Sequence, residues 1–284
     1  MARPDTVLAL DIGGTKMLAA LVRGEMVVET HTMPTPRGGD PEAWLAALFV
    51  AIDGWKGRYD TIGVAVTGII DEGCWSPLNR RTLDIPDRFP LVAAVTRLSG
   101  ADRVLAANDA QAAAWGEYAF GACQGHDLVF LTVSTGIGGG IVVNGRLLGG
   151  LAGHFGQFRS LGEEDRALED KVSGHWIAGQ ATPHRPGATA RDVFAAAADG
   201  QDWAEAIIQA SARQTALLCG NIQLALDPAR IVIGGGIGLA PGYLESVRQA
   251  LGGLPQRLTP QLHPAALAET AGVVGIADLA RRQN

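Results

Sequence analysis

Asp11-Ile-Gly-Gly-Thr15 sets a carboxylate, two glycines and a hydroxyl within five residues. Such a turn can hold a phosphate tail: the glycines let backbone N–H groups approach the oxygens closely, and Thr15 adds a donor. Asp11 can hold the Mg²⁺ that accompanies phosphates, usually through its water shell. The same residues also suit a plain β-hairpin turn, for which Gly-Gly is ordinary. Ser134-Thr-Gly-Ile-Gly138 repeats the pattern about 125 residues later. A pair of turns carrying Asp11/Thr15 and Ser134/Thr135 suits the β- and γ-phosphates of a nucleotide. A third glycine run, Gly234-Gly235-Gly236, follows a predicted strand and would let the backbone lie flat against an adenosine, or simply turn the chain into a helix. None of the three has the spacing of a P-loop or of a dinucleotide fingerprint.

Asn108-Asp109 stands where a predicted strand ends and a helix begins. Either residue suits an N-cap. A carboxylate there could also accept the proton of a hydroxyl attacking phosphorus, a reaction that depends mostly on positioning and charge. The helix N-terminus lowers a carboxylate's basicity, so Asp109 would serve best if the proton leaves late. His154, between glycines in Leu151-Ala-Gly-His-Phe-Gly-Gln157, is poorly explained by core packing. Glu163, Glu164, Asp165, Glu169 and Asp170 read most simply as a solvated face.

Elements that must position these groups are legible around them. Thr6–Leu10 and Met17–Val22 read as strands flanking Asp11, and Glu25–Met33 as a third. Asp40 caps a helix running toward Gly54 with Pro41 in its first turn. Thr61–Thr67 reads as a buried parallel strand and Gly68–Pro90 as a loop. A helix over 91–98, a strand over 104–107 and an alanine-rich helix over 110–118 follow. A second series has strands at 127–134 and 139–143, a turn at Asn144-Gly145, and a mostly irregular stretch with helical turns from Gly149 to Ala190. Asp202–Leu226 reads as a long, nearly all-apolar buried helix. A strand at 230–233, a helix from Gly242 and a last helix over 272–282 complete the chain. The recurrence predicts two similar α/β lobes: residues 1–107, completed by the C-terminal helix 272–284, and 108–271.

The 284 residues include 47% hydrophobic and 18% charged residues, with a net charge of −6. That balance disfavours a nucleic-acid surface, and no apolar run reaches the roughly 18 residues of a membrane span. Three scattered cysteines make a disulfide framework unexpected, and there is no signal-peptide core, so a soluble cytoplasmic protein is expected.

Taken in order, DIGGTK (11–16), VTGII (66–70), NDAQAAAWGEY (108–118), STGIGGGIV (134–142), LAGHFGQ (151–157), SG (173–174) and IVIGGGIGLAPGYL (231–244) resemble the ROK family of sugar kinases and repressors over essentially the whole chain. The resemblance implies an α/β, two-lobed actin/hexokinase-like (ribonuclease H-like) fold with a central cleft, and a homodimer. It implies ATP with Mg²⁺ and transfer to the 6-hydroxyl of a hexose. AGHFG, where glucokinases of the family read AGEIG, points to N-acetylmannosamine; N-acetylglucosamine, glucose and fructose are the other acceptors. By resemblance Asp109 is the base, and Asp11, Gly13, Gly14, Thr15 and Lys16 form the first phosphate loop. Thr135, Gly136 and Gly138 form the second. Gly68, Asn79, Asn108, His154 and Glu169 face the sugar.

One departure is large. Most of the family carry a CxCGxxGCxE zinc motif after the histidine loop, whose last ligand is that loop's second histidine. Here that residue is Gln157, and the segment Phe158 to Glu169 has no cysteine. No structural zinc is therefore expected, and packing or polar contacts must hold the loop. The family's sugar-sensing repressors give a non-enzymatic alternative, disfavoured by the ten residues before Asp11 and the acidic charge.

Overall fold

The computed structural model describes residues 5–36, 38–80, 83–123, 125–159 and 166–283. Period-two burial fixes the first sheet. In β1 (Val7–Ile12), Leu8, Leu10 and Ile12 enter one core while Val7 and Ala9 enter another on the opposite face. β2 (Lys16–Arg23) and β3 (Met26–Pro34) extend β1 as an antiparallel meander. α1 (Pro41–Ala51) begins where Asp40 accepts from the Glu42 amide. β4 (Thr61–Val66), buried throughout, pairs in parallel with β1.

The expected loop from Gly68 to Pro90 instead contains a hairpin, β5 (Ile69–Asp71) and β6 (Cys74–Ser76). The reason is Trp75, fully buried, whose backbone exchanges hydrogen bonds of 2.7 and 2.8 Å with Phe89. α2 (Leu91–Ser99), β7 (Arg103–Asn108) and α3 (Asp109–Ala119) follow, and the sheet order is β3-β2-β1-β4-β7.

The second sheet repeats this order as β10-β9-β8-β11-β12. Its strands are β8 (Leu128–Val133), β9 (Ile137–Val143), β10 (Arg146–Leu147), β11 (Arg230–Gly234) and β12 (Leu262–Pro264). Between β10 and β11 the stretch expected to be mostly irregular with helical turns carries α4 (Glu169–Val172) and α5 (Gly174–Ala181), followed by α6 (Ala190–Ala198). Ser173 caps α5, and Thr189 with Asp192 makes a capping box on α6. α7 (Asp202–Leu226) has the predicted bounds but is not buried all round. Ile207, Ile208, Ser211, Thr215, Leu218 and Ile222 line its inner stripe, whereas Leu217 and Leu224 are 60% and 67% exposed. Composition alone cannot reveal that; a helix has an outer face. α8 (Gly235–Gly238) and α9 (Tyr243–Ala250) flank the last strand crossing.

α10 (Ala271–Arg282) packs on α3, β4 and β1. Glycines admit it: a Cβ at Gly63 would stand 2.5 Å from the Ile276 carbonyl oxygen, and one at Gly275 would overlap that of Ala112. The chain divides into two compact units, 1–120 with 147–151 and 269–284, and 121–146 with 152–268. This division differs from a boundary at residue 107 because α3 packs on α10. Among the described residues, no helix is long and apolar enough to cross a membrane.

Candidate active site

In the first unit, chemistry gathers at the carboxyl ends of the parallel strands. Asp11 lies next to the end of β1, and the following turn is closed by the Gly13 amide on the Lys16 carbonyl at 3.0 Å. Thr35 straps this turn, its amide donating to Thr15 O and its hydroxyl to Gly13 O at 2.7 Å. Sequence reasoning missed Thr35, which lies 22 residues from its partner glycine. Thr15 and Lys16 are exposed, with side chains open to a ligand. The Asp11 carboxyl is pushed up to about 7, first by desolvation and then by the charge of Asp109, with Lys16 acting in the opposite sense. A desolvated carboxyl beside a second carboxylate is a place where a cation would offset the charge. On that ground Asp11 fits the role of holding Mg²⁺.

Asn108 and Asp109 divide the labour that the sequence left open. Asn108 is the N-cap of α3: its Oδ1 accepts from the Ala110 and Gln111 amides at 3.0 and 3.2 Å. Its Nδ2 donates to Gly68 O at 3.0 Å and, at 3.5 Å, to Val66 O. Asp109 is thus not needed as the cap. Its Oδ1 accepts from the Ala110 amide and its Oδ2 from the Thr67 hydroxyl, both at 2.8 Å. Gly68 has φ of 125°, and a Cβ there would lie 2.5 Å from Ser76 O, so only glycine fits. Asn79 is half-buried and its carbonyl accepts from the Leu83 amide.

In the second unit the turn from Ser134 to Gly136 joins β8 to β9; Gly138 lies within β9, opposite Thr132. Ser134 O accepts from the Gly174 amide at 2.7 Å, and the Ile137 amide donates to Glu169 Oε2 at 3.1 Å. A methyl group at Gly136 would overlap that same carboxylate oxygen. Glu169, which nothing in the sequence distinguished from its acidic neighbours, is therefore fastened to the turn. Glu163, Glu164 and Asp165 lie outside the described residues.

The histidine loop rests on the same strand, since a Cβ at Gly153 would stand 2.5 Å from Gly139 O and one at Gly156 would overlap Ile137 O. Both ring nitrogens of His154 are shielded from solvent without a hydrogen-bond partner. Buried imidazole nitrogens of this kind call for a polar ligand. Among the described residues no group of three or more His, Cys, Asp or Glu side chains is placed to hold a metal ion. An Arg159–Ala167 bridge and the Leu168 amide on Phe158 O at 2.9 Å join the two ends of the segment. Gly235 takes φ of 85° against Thr132 and Val133, Gly234 packs on Phe130, and Gly236 faces open space.

The model of the ROK family matches residues 7–283. The chain belongs to the ROK family. It is similar to the bifunctional enzyme NanE/NanK of Brucella melitensis, 46% identical over 98% of this chain and 55% of that protein. The chain thus spans about half the length of the first curated relatives it matches. The N-acetylmannosamine kinase of Citrobacter koseri is 40% identical over 97% of this chain and 99% of its own. Among solved structures, a ROK family glucokinase from Streptomyces griseus in complex with glucose and AMPPNP superposes with a TM-score of 0.82 at 30% identity, covering 98% of this chain and 99% of that one. The fold is accordingly α/β and actin/hexokinase-like.

Proposed function

We propose that this ROK protein is an ATP-dependent kinase that phosphorylates the 6-hydroxyl of N-acetylmannosamine. The observation that carries the reading is Asp109, freed from capping by Asn108 and held by two donors at the end of a parallel strand. Family membership and similarity to N-acetylmannosamine kinases support it.

Asp109 accepts the proton of the sugar hydroxyl as that oxygen bonds to the γ-phosphorus and the bond to the β-phosphate oxygen breaks. Because Asp109 is a weak base among hydrogen-bond donors, the proton moves late, after phosphorus–oxygen bonding has begun. Gly13, Gly14, Thr15 and Lys16 bind ATP phosphates, as do Ser134, Thr135, Gly136 and Gly138. Gly234, Gly235 and Gly236 face the adenosine. Asp11 holds Mg²⁺, which neutralises phosphate charge when bound. His154 and Glu169 bind sugar hydroxyls or the acetamido group, and Asn79 and Gly68 complete the pocket. Asn108 joins them by exchanging its long Val66 contact for a sugar hydroxyl. A site with fixed polar groups rejects an epimer that leaves them unpaired. The reading carries a homodimer working in the cytoplasm.

The test is a coupled ADP-release assay over N-acetylmannosamine, N-acetylglucosamine, glucose, mannose and fructose. Turnover is expected with N-acetylmannosamine foremost; none on any sugar rejects the kinase. Asp109→Asn is expected to lose at least about 100-fold in kcat while keeping ATP affinity, in the range of an absent general base. A fully active variant removes Asp109 from the role.

A further inference from the structure

Thr67 follows the last residue of β4 and is fixed on every side. Its amide donates to Ile12 O at 3.1 Å, next to Asp11. Its carbonyl accepts from the indole Nε1 of the fully buried Trp75 at 2.9 Å. Gly68, the next residue, is locked by its positive φ and by Ser76. From this clamped backbone the hydroxyl donates to Asp109 Oδ2 at 2.8 Å. The partner lies 42 residues away, on another element.

We infer that Thr67 is a positioning residue for the reaction, holding the Asp109 carboxylate aimed. The inference rests on the proposed role of Asp109 as base. Two donors from different elements, the Ala110 amide on Oδ1 and the Thr67 hydroxyl on Oδ2, fix the plane of the carboxylate. A purely local role is already filled, since Asn108 caps α3 and ties it to Gly68. The Thr67 bond adds nothing to helix capping; it acts on the carboxylate.

Thr67→Val keeps the branched shape and deletes the donor. The expected result is a kcat lowered about 10- to 100-fold, the span of a hydrogen bond to a charged group. KM for ATP and sugar stays within about threefold. Thr67→Ser restores the donor and is expected to recover kcat. Should the valine variant not fold, Thr67→Ala gives the same readouts with no added bulk. A folded variant without the hydroxyl that keeps wild-type kcat overturns the inference, as does one that changes only KM or one that serine does not rescue. Failure of the base reading is distinguishable, because it appears as an active Asp109→Asn whatever Thr67 does.

Discussion

Asp11→Asn tests the electrostatics of the first unit without reference to turnover. The Asp11 carboxyl rises from 3.8 to about 7 on folding, through desolvation and then the Asp109 charge. Between those two pH values the folded chain holds a proton that the unfolded chain has released. Stability of the metal-free protein therefore falls as pH climbs through that window, and the loss is complete above about 7. At 1.36 kcal/mol per pH unit the interval is worth about 4 kcal/mol, an upper bound because water reaches the partly exposed side chain. Asparagine keeps the shape and abolishes the titration. Urea unfolding in EDTA, followed from about pH 4 to 8, should show the wild-type midpoint falling relative to the variant's. Near pH 8 the variant should be more stable by roughly 1 to 4 kcal/mol, and near pH 4 the two should converge. Mg·ATP affinity should be lost in the same variant, a stability gain obtained by removing a strained functional charge. Parallel curves, or a variant less stable at pH 8, would refute the reasoning.

Two further substitutions probe the second unit. Gly136→Ala must push Glu169 off the Ile137 amide, since the new methyl overlaps its carboxylate. Steady-state kinetics should show the sugar KM raised about tenfold or more, as a lost charge-assisted hydrogen bond requires. Tyr243→Phe removes a buried hydroxyl bonded to Ser211 and Thr215 at 2.8 Å each, and urea unfolding should register a loss of about 1–3 kcal/mol.

What the sequence shows and what it hides follow from range. Asp40 caps α1 two residues from its amide, and the alanine-rich α3 starts beside its own cap, so both are legible as local chemistry. The unbroken apolar run of β4 announces a strand buried on both faces. By contrast Thr67 meets Asp109, Ile137 meets Glu169 and Thr35 meets Gly13 across 42, 32 and 22 residues. No periodicity encodes such pairs; they exist only once the sheets have set their register. The β5–β6 hairpin is hidden similarly, because Gly, Pro and Asn in its segment signal a loop while the long-range burial of Trp75 decides the outcome. α7 errs the other way: its many apolar residues suggest burial all round, but Glu205, Arg213 and Asn221 stand exposed and its packing is one-sided.

The two sheets share a strand order, yet their matching turns are not equivalent. In the first, Thr35 closes the backbone while Thr15 and Lys16 are exposed, and negative charge collects at Asp11 and Asp109. That turn needs a cation before it can tolerate a phosphate. In the second, the Ile137 amide is already satisfied by an anion, the carboxylate of Glu169. A phosphate arriving there must share the turn with that charge or rely on the exposed Thr135 hydroxyl. Gly136 answers to one demand in the structure, room for the Glu169 carboxylate, and on the proposed function to a second, room for the phosphate. The repeated glycine-and-hydroxyl pattern is one backbone device, and the charges set against it by distant residues give each copy a different task.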